Sequence, residues 1–241
     1  MKYLTTKTKR IEIHEVDYMS RYQLCHLFNE LSNIATENAI EIGLWSLDMM
    51  GKYGWIVAKQ SLHLTEPIYY NDLIEFSTIP GKGAHVAFPR YYFLKKDGRT
   101  IGTCSSIWTI IDMQKRRMTS PKRIGLTIPN IDHDIVLEEP HNISIDIKMS
   151  HVMTRQVLYS DVDTNQHMNN TRYIQWALDC LDYSIHKDSY ISDITLQYKK
   201  EIRPLEYVEL YVGQHDNRYI VEGKNSETTF FIIEILMTKT Q

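Results

Sequence analysis

The chain has 241 residues, 43% of them hydrophobic and 24% charged, the balance of an ordinary globular protein with room for one large domain or two small ones. A net charge of −3 excludes a protein built to coat nucleic acid, and no apolar run approaches the roughly 20 residues that a membrane-spanning helix needs. The three cysteines, Cys25, Cys104 and Cys180, are odd in number, far apart and without CxxC spacing, and the N-terminus has no apolar signal region, so a reduced, cytoplasmic setting is expected.

In chain order, Lys9–Val16 alternates as a strand does, and Arg21–Ile40 then carries Leu24, Leu27, Phe28, Leu31, Ile34 and Ala35 at helical spacing. A loop containing Gly43, Gly51 and Gly54 follows, and after it come four strand-like runs at 55–64, 72–79, 84–94 and 100–111. Lys96-Asp97-Gly98 between the last two is a hairpin turn signal. The stretch 112–148 breaks the pattern. It holds Pro121, Pro129 and Pro140, the basic run Lys115-Arg116-Arg117 and acidic residues at 132, 134, 138 and 139, which predicts a linker over the surface.

The same order then recurs. A strand is expected at 150–159, a helix running to about Tyr183, and strands at 191–198, 206–214, 218–224 and 228–238, with turns at 215–217 and 225–227. The recurrence is visible in the letters. LHLTEPIYYNDLIEF (62–76) lies over LQYKKEIRPLEYVEL (196–210) at an offset of 134. Upstream, HEVDYMSRYQLCHLF (14–28) lies over SDVDTNQHMNNTRYI (160–174) at an offset of 146, pairing Asp17 with Asp163. A helix followed by an antiparallel meander is an α+β unit, and two such units side by side suit one continuous sheet around two helices.

The two copies differ most at Asp163-Thr-Asn-Gln-His-Met-Asn-Asn170. This run is too dense in polar groups for a core element and too rich in Asn for a helix interior. Its counterparts in the first copy replace Asn165 by Met19 and His167 by Arg21, so the cluster is not simply a cap that both copies need. His167 suits proton transfer near neutral pH. Asp163 suits orienting it, pairing with its charge, or acting itself as nucleophile or base. Asn165 offers an amide to a carbonyl or a water, while Asn169 and Asn170 also suit capping a helix. The ten histidines show no HxxxH or similar spacing, so no metal is expected.

DVDTNQHMNNTRYIQW resembles the signature of acyl-acyl carrier protein (acyl-ACP) thioesterases, D-x-N-x-H-x-N-N-x-x-Y, and the likeness extends over nearly the whole chain. The resemblance implies a double hotdog: an N-terminal acyl-binding hotdog at 1–130, a linker at 131–148 and a catalytic hotdog at 149–241. It implies catalytic roles for Asp163, Asn165 and His167, and for Glu201 in the matching segment Leu196-Gln-Tyr-Lys-Lys-Glu201-Ile202. Ile202 stands where plant members have a Cys, which removes a cysteine nucleophile from that position.

The thioester carbonyl is expected near the start of the second helix, polarised by its backbone N–H groups and Asn165. Substrate contacts are expected from Asn169 and Asn170, and from Leu24, Leu27, Leu31, the segment 44–50 and Trp55 along the first helix and sheet. The implied partner is an acidic acyl carrier protein with a phosphopantetheine-linked acyl chain, received by Lys115, Arg116, Arg117, Lys122, Arg123, Lys199, Lys200 and Arg203. No cofactor is implied. An acyl-coenzyme A thioesterase and a non-catalytic acyl-binding module are the rival readings. Both a monomer, with the hotdog pairing internal, and a dimer fit.

Overall fold

The computed structural model describes residues 3–240. The first half runs β1 (Thr5–Arg10), α1 (Leu24–Glu41), β2 (Tyr53–Leu64), β3 (Leu73–Pro80), β4 (Phe88–Lys96), β5 (Arg99–Asp112) and a short β6 (Arg117–Thr119). The second runs β7 (Ser150–Gln156), α2 (Asn170–Asp179), α3 (Tyr183–Asp188), β8 (Ser189–Tyr198), β9 (Tyr207–His215), β10 (Arg218–Lys224) and β11 (Thr229–Lys239). The strands form one antiparallel sheet in the order β1-β3-β4-β5-β2-β8-β11-β10-β9-β7, with β6 on β5. This is the expected double hotdog, in which each half of the sheet curls around its own helix.

The two halves join at β2 and β8, and the register there is symmetric. Ser61 faces Thr195, Gln60 faces Leu196 and Leu62 faces Ile194. Ser61 and Thr195 are equivalent at the offset of 134, and their hydroxyls are 3.0 Å apart. Local detail repeats as well. The bridge Val16–Tyr22 recurs as Val162–Met168, and positive φ at Ser20 (61°) recurs at Gln166 (63°). One apolar core runs through both halves, with Phe28, Leu31 and Ile34 of α1 and Ile174 and Trp176 of α2 almost fully buried in it.

Several boundaries differ from expectation for local reasons. The strand expected at Lys9–Val16 ends at Arg10, because Ile13–Glu15 forms one 3-10 turn; Glu15 folds back on the Glu12 N–H at 3.0 Å and pairs with Lys9 at 2.5 Å. The β4 strand starts at Phe88 rather than Ala84, since Ala84 and Ala87 bridge each other across a turn with His85 at φ 54°. The second helix stops at Asp179 instead of Tyr183, and Asp182 caps a new short helix by accepting the Ser184 N–H at 2.8 Å. Asp97 and Gly98 take φ 50° and 74°, as a two-residue hairpin turn demands.

The expected unstructured stretch contains β6 and a 3-10 turn at Pro121–Ile124; residues 126–149 hold no helix or strand. These residues cross the face of the sheet turned away from the helices. Ser105 Oγ donates to the Glu138 carbonyl at 2.7 Å and Gln197 Nε2 to the His141 carbonyl at 3.1 Å. Ile143 packs with Ile220 and Ile232. Among the described residues no helix is long and apolar enough to cross a membrane, and no His, Cys, Asp or Glu cluster suits a metal ion.

Candidate active site

The run Asp163–His167 is a closed loop. The Asp163 N–H bonds to the His167 carbonyl at 2.9 Å, Gln166 N–H to the Asp163 carbonyl at 3.0 Å, and Asp163 Oδ1 accepts the Asn165 N–H at 2.8 Å. Asp163 therefore holds the loop backbone rather than the imidazole. The loop is fixed to the next segment by Met168 N–H on the Ile202 carbonyl at 2.9 Å, and the buried Tyr173 hydroxyl accepts the Ile202 N–H at 3.3 Å. Ile202 is fully buried, so this pair of contacts sets Glu201 beside the loop.

His167 is 6% exposed, with Nε2 3.0 Å from Glu201 Oε2. Arg116, from the turn between β5 and β6, joins them: its Nη1 is 2.6 Å from His167 Nε2 and 3.1 Å from Glu201 Oε2. A guanidinium only donates, so towards Arg116 both the imidazole Nε2 and the carboxylate stand as acceptors. The sequence placed Arg116 among carrier-binding cations. Its side chain contacts His167 and Glu201, a placement that a basic run in a turn gives no reason to expect.

Of the other expected contacts, Asn169 is engaged as the cap of α2, its Oδ1 accepting the Thr171 N–H and hydroxyl at 2.9 Å each. Asn170 is the first residue of that helix and its carbonyl accepts the Tyr198 hydroxyl at 3.2 Å. The N–H groups of Met168, Asn169, Thr171 and Arg172 all have partners, so the helix start offers less to a substrate oxygen than expected. The Asn165 side chain, by contrast, has no partner among the described residues and faces a cavity.

That cavity has a volume of about 630 Å³ and lies in the first half of the molecule. Thr164, Asn165, Gln166 and Arg116 stand at one side of it, and Ala35, Leu44, Trp55, Phe88 and Trp108 are among its apolar walls. Trp55 was expected, as were Leu44 and Met50 of the 44–50 segment. Leu24, Leu27 and Leu31 do not line it. The chamber lies beside the later turns of α1, where Ala35, Thr36 and Ala39 leave space that the bulky leucines earlier in the helix fill. That change from large to small residues on one helix face is the signal sequence reasoning passed over.

Leu24 and Leu27 border a second cavity of about 390 Å³, facing the first copy's loop. There Arg21 stands in for His167, and its guanidinium donates to Asp17 at 3.0 Å and to the Ser189 carbonyl at 2.6 Å. The position equivalent to Glu201 is Pro67. This twin of the site keeps the loop and lacks both acceptors.

Lys115, Arg117, Lys122, Arg123, Lys199, Lys200 and Arg203 are exposed. The Arg116–Glu201 contact brings the 115–117 turn against the 199–203 segment.

Residues 2–122 match the model of the acyl-ACP thioesterase N-terminal domain and residues 144–232 that of the C-terminal domain. A palmitoyl-acyl carrier protein thioesterase, chloroplastic, of Arabidopsis thaliana is 25% identical over 71% of this chain and 44% of its own length. An oleoyl-acyl carrier protein thioesterase 2, chloroplastic, of the same plant is 24% identical over 73% of this chain and 52% of its own. The chain thus spans about half the length of the curated relatives it matches. The crystal structure of an acyl-ACP thioesterase from Bacteroides thetaiotaomicron superposes with a TM-score of 0.85, at 22% identity and 98% coverage of each chain. A 12:0-ACP thioesterase from Umbellularia californica superposes with a TM-score of 0.79 at 18% identity, over 99% of this chain and 98% of that one. These likenesses support the fold.

Proposed function

The chain belongs to the acyl-ACP thioesterase family, and on that premise we propose that it hydrolyses the thioester of fatty acyl-ACP, releasing the free acid and ending chain elongation. The observation that carries this reading is an apolar chamber of about 630 Å³ lined in part by Asn165 and by Arg116, whose guanidinium contacts His167 and Glu201. An acyl chain fits the chamber, and its thioester then lies beside two proton acceptors.

In this reading the incoming pantetheine arm displaces Arg116. A water takes its place and donates one hydrogen to His167 Nε2 and the other to Glu201, the two acceptors that Arg116 now bridges. The imidazole removes the proton as the water oxygen attacks the thioester carbon. The Asn165 amide polarises the carbonyl and meets the charge that develops on its oxygen. The tetrahedral centre collapses, expelling the carrier thiolate, which takes the proton back from the imidazolium. Asp163 keeps His167 and Asn165 at this spacing through the loop backbone; attack by Asp163 itself is the competing route. The carrier protein docks on the cations of 115–117, 122–123 and 199–203, and the arm passes between them. We assign acyl binding to 1–130, chemistry to 149–241 and the joining strap to 131–148. The three cysteines are free thiols, in keeping with a cytoplasmic setting.

Turnover of acyl-ACP and acyl-CoA by wild type, His167→Ala and Glu201→Gln tests the reading. We expect the His167 variant to lose about 10²- to 10⁴-fold in kcat, the usual worth of a general base. Near-full activity in that variant sinks the proposal, and preference for acyl-CoA moves the carrier assignment.

A further inference from the structure

Among the residues that line the chamber, Arg90 is chemically out of place. It lies on β4 and is 6% exposed. Its Nη1 donates to Asn38 Oδ1 at 2.7 Å and Thr78 Oγ1 at 3.3 Å, both neutral. Asn38 is itself buried, with its amide on the Tyr3 carbonyl and Thr5 Oγ1. Neither Nε nor Nη2 of Arg90 has a partner among the described residues, and no carboxylate reaches the group. Burial depresses the guanidinium's pKa, with only the nearby Tyr92 acting against it. A buried charge without a counter-charge is among the costliest things a fold can hold.

The position matters as much as the charge. Arg90 faces Ser106 on β5, while Arg116 lies just beyond Asp112, where β5 ends. The six residue steps of β5 from Ser106 to Asp112 put the backbones of the two arginines on the order of 20 Å apart at the usual strand rise. Phe88 and Trp108, which also line the chamber, pair with each other one step nearer the opening. Arg90 and its β3 neighbour Pro80 are therefore the sheet positions on the wall farthest along from Asp112, remote from the His167–Glu201 pair.

We propose that Arg90 is a specificity-determining residue that receives an oxygen-bearing group, a hydroxyl or a carboxylate, on the far part of the acyl chain. Its free donors match such an oxygen, and a carboxylate also supplies the missing counter-charge. A purely hydrocarbon end pushed against it gains no hydrogen bond and shuts out any water that serves it, so plain chains long enough to reach Arg90 are turned away. The proposal rests on the acyl-thioesterase reading of the chamber.

The test compares wild type, Arg90→Met and Arg90→Lys on saturated acyl-ACPs of increasing length and on their ω-hydroxy and ω-carboxy counterparts. In wild type the oxygenated substrates are expected to exceed the plain chain by about tenfold or more in kcat/KM at lengths that reach Arg90, the worth of one charge-assisted hydrogen bond. The two oxygenated series separate a need for an acceptor from a need for an anion. Arg90→Met should lose the preference and accept longer plain chains; Arg90→Lys should keep part of it. A second arm needs no catalysis. Binding of non-hydrolysable S-alkyl and S-(ω-hydroxyalkyl) pantetheine thioethers is read from the fluorescence of Trp45, Trp55 and Trp108, which line the chamber. If wild type hydrolyses no acyl-ACP, the function reading fails while this arm still decides the role of Arg90. Equal binding and turnover of plain and oxygenated chains by wild type overturns the proposal, as does an unchanged length profile in a folded Arg90→Met. Should Arg90→Met fail to fold, Arg90→Lys and the wild-type comparison decide alone.

Discussion

At the scale of single residues, the two equivalent loops differ in their side-chain proton acceptors at two positions. Arg21 and Pro67 stand where His167 and Glu201 stand, and with them both proton acceptors vanish. Arg21 is not left over: it ties the loop to the Ser189 carbonyl, a bond an imidazole has neither the reach nor the donors to copy. Asn169 illustrates the opposite case, a residue that reads as part of the site and serves the helix. Replacing it by Ala should cost about 1 kcal/mol, some 2–4 °C in Tm, whereas Asn169→Ser keeps a cap acceptor and should keep both Tm and turnover. A Ser variant that folds normally yet loses turnover would restore a substrate role for the amide. For Arg116, the displacement reading predicts that Arg116→Met raises KM for acyl-ACP and retains about a tenth or more of kcat, far above His167→Ala. Equal losses in both would make Arg116 part of the chemistry.

At the scale of elements, β1 and the turn after it are fastened to α1 by a small charged knot. Lys9 Nζ lies 2.5 Å from Glu15 and 3.3 Å from Glu30, and both carboxylates are buried. Burial pushes the Glu15 carboxyl up, but the bonds from Lys9 and the Glu12 N–H outweigh it and leave its pKa below the usual carboxylate range. A group whose pKa is depressed by folding stabilises the fold above its unfolded pKa. That stability fades as pH falls through about 4.3 towards the folded value. Lys9→Met should therefore lower Tm at neutral pH, by an amount that shrinks in acid; a Tm deficit that stays constant down to pH about 3 would contradict the linkage.

The elements also mark how far sequence alone carries. Most of the β strands, β1 and β6 apart, the hairpin at Asp97-Gly98 and the two offsets were legible because alternation, turn chemistry and repetition are local or self-referential signals. The break at Asp179 was not, since the capping Asp182 sits inside an unbroken helical spacing. That Leu24, Leu27 and Leu31 do not line the larger chamber was not legible, because periodicity marks which face of a helix is buried and says nothing about whether the space against it is filled. In the cluster, His167 and Glu201 were legible by motif, while the side-chain direction of Arg116 depends on a turn at φ 51° that its basic neighbours do not announce.

At the scale of the whole molecule, the cation-bearing segments 115–117 and 199–203 lie against each other in a chain whose net charge is −3. Rising salt should raise KM for acyl-ACP more than KM for a small neutral acyl thioester, because screening weakens attraction between extended charged surfaces first. Equal salt effects on both substrates would remove the cations from carrier recognition.

The symmetric seam at Ser61 and Thr195 has a further consequence. In a dimer of two identical chains, every substitution lands twice, once at each related place. An improvement at one site is inseparable from damage at its mirror position. Here the same pairing is made within one chain, so each position changes alone. The first half borders most of the larger chamber and carries Arg21, while the second carries His167 at the equivalent place. Joining the halves converts a symmetric scaffold into two workshops that drift independently.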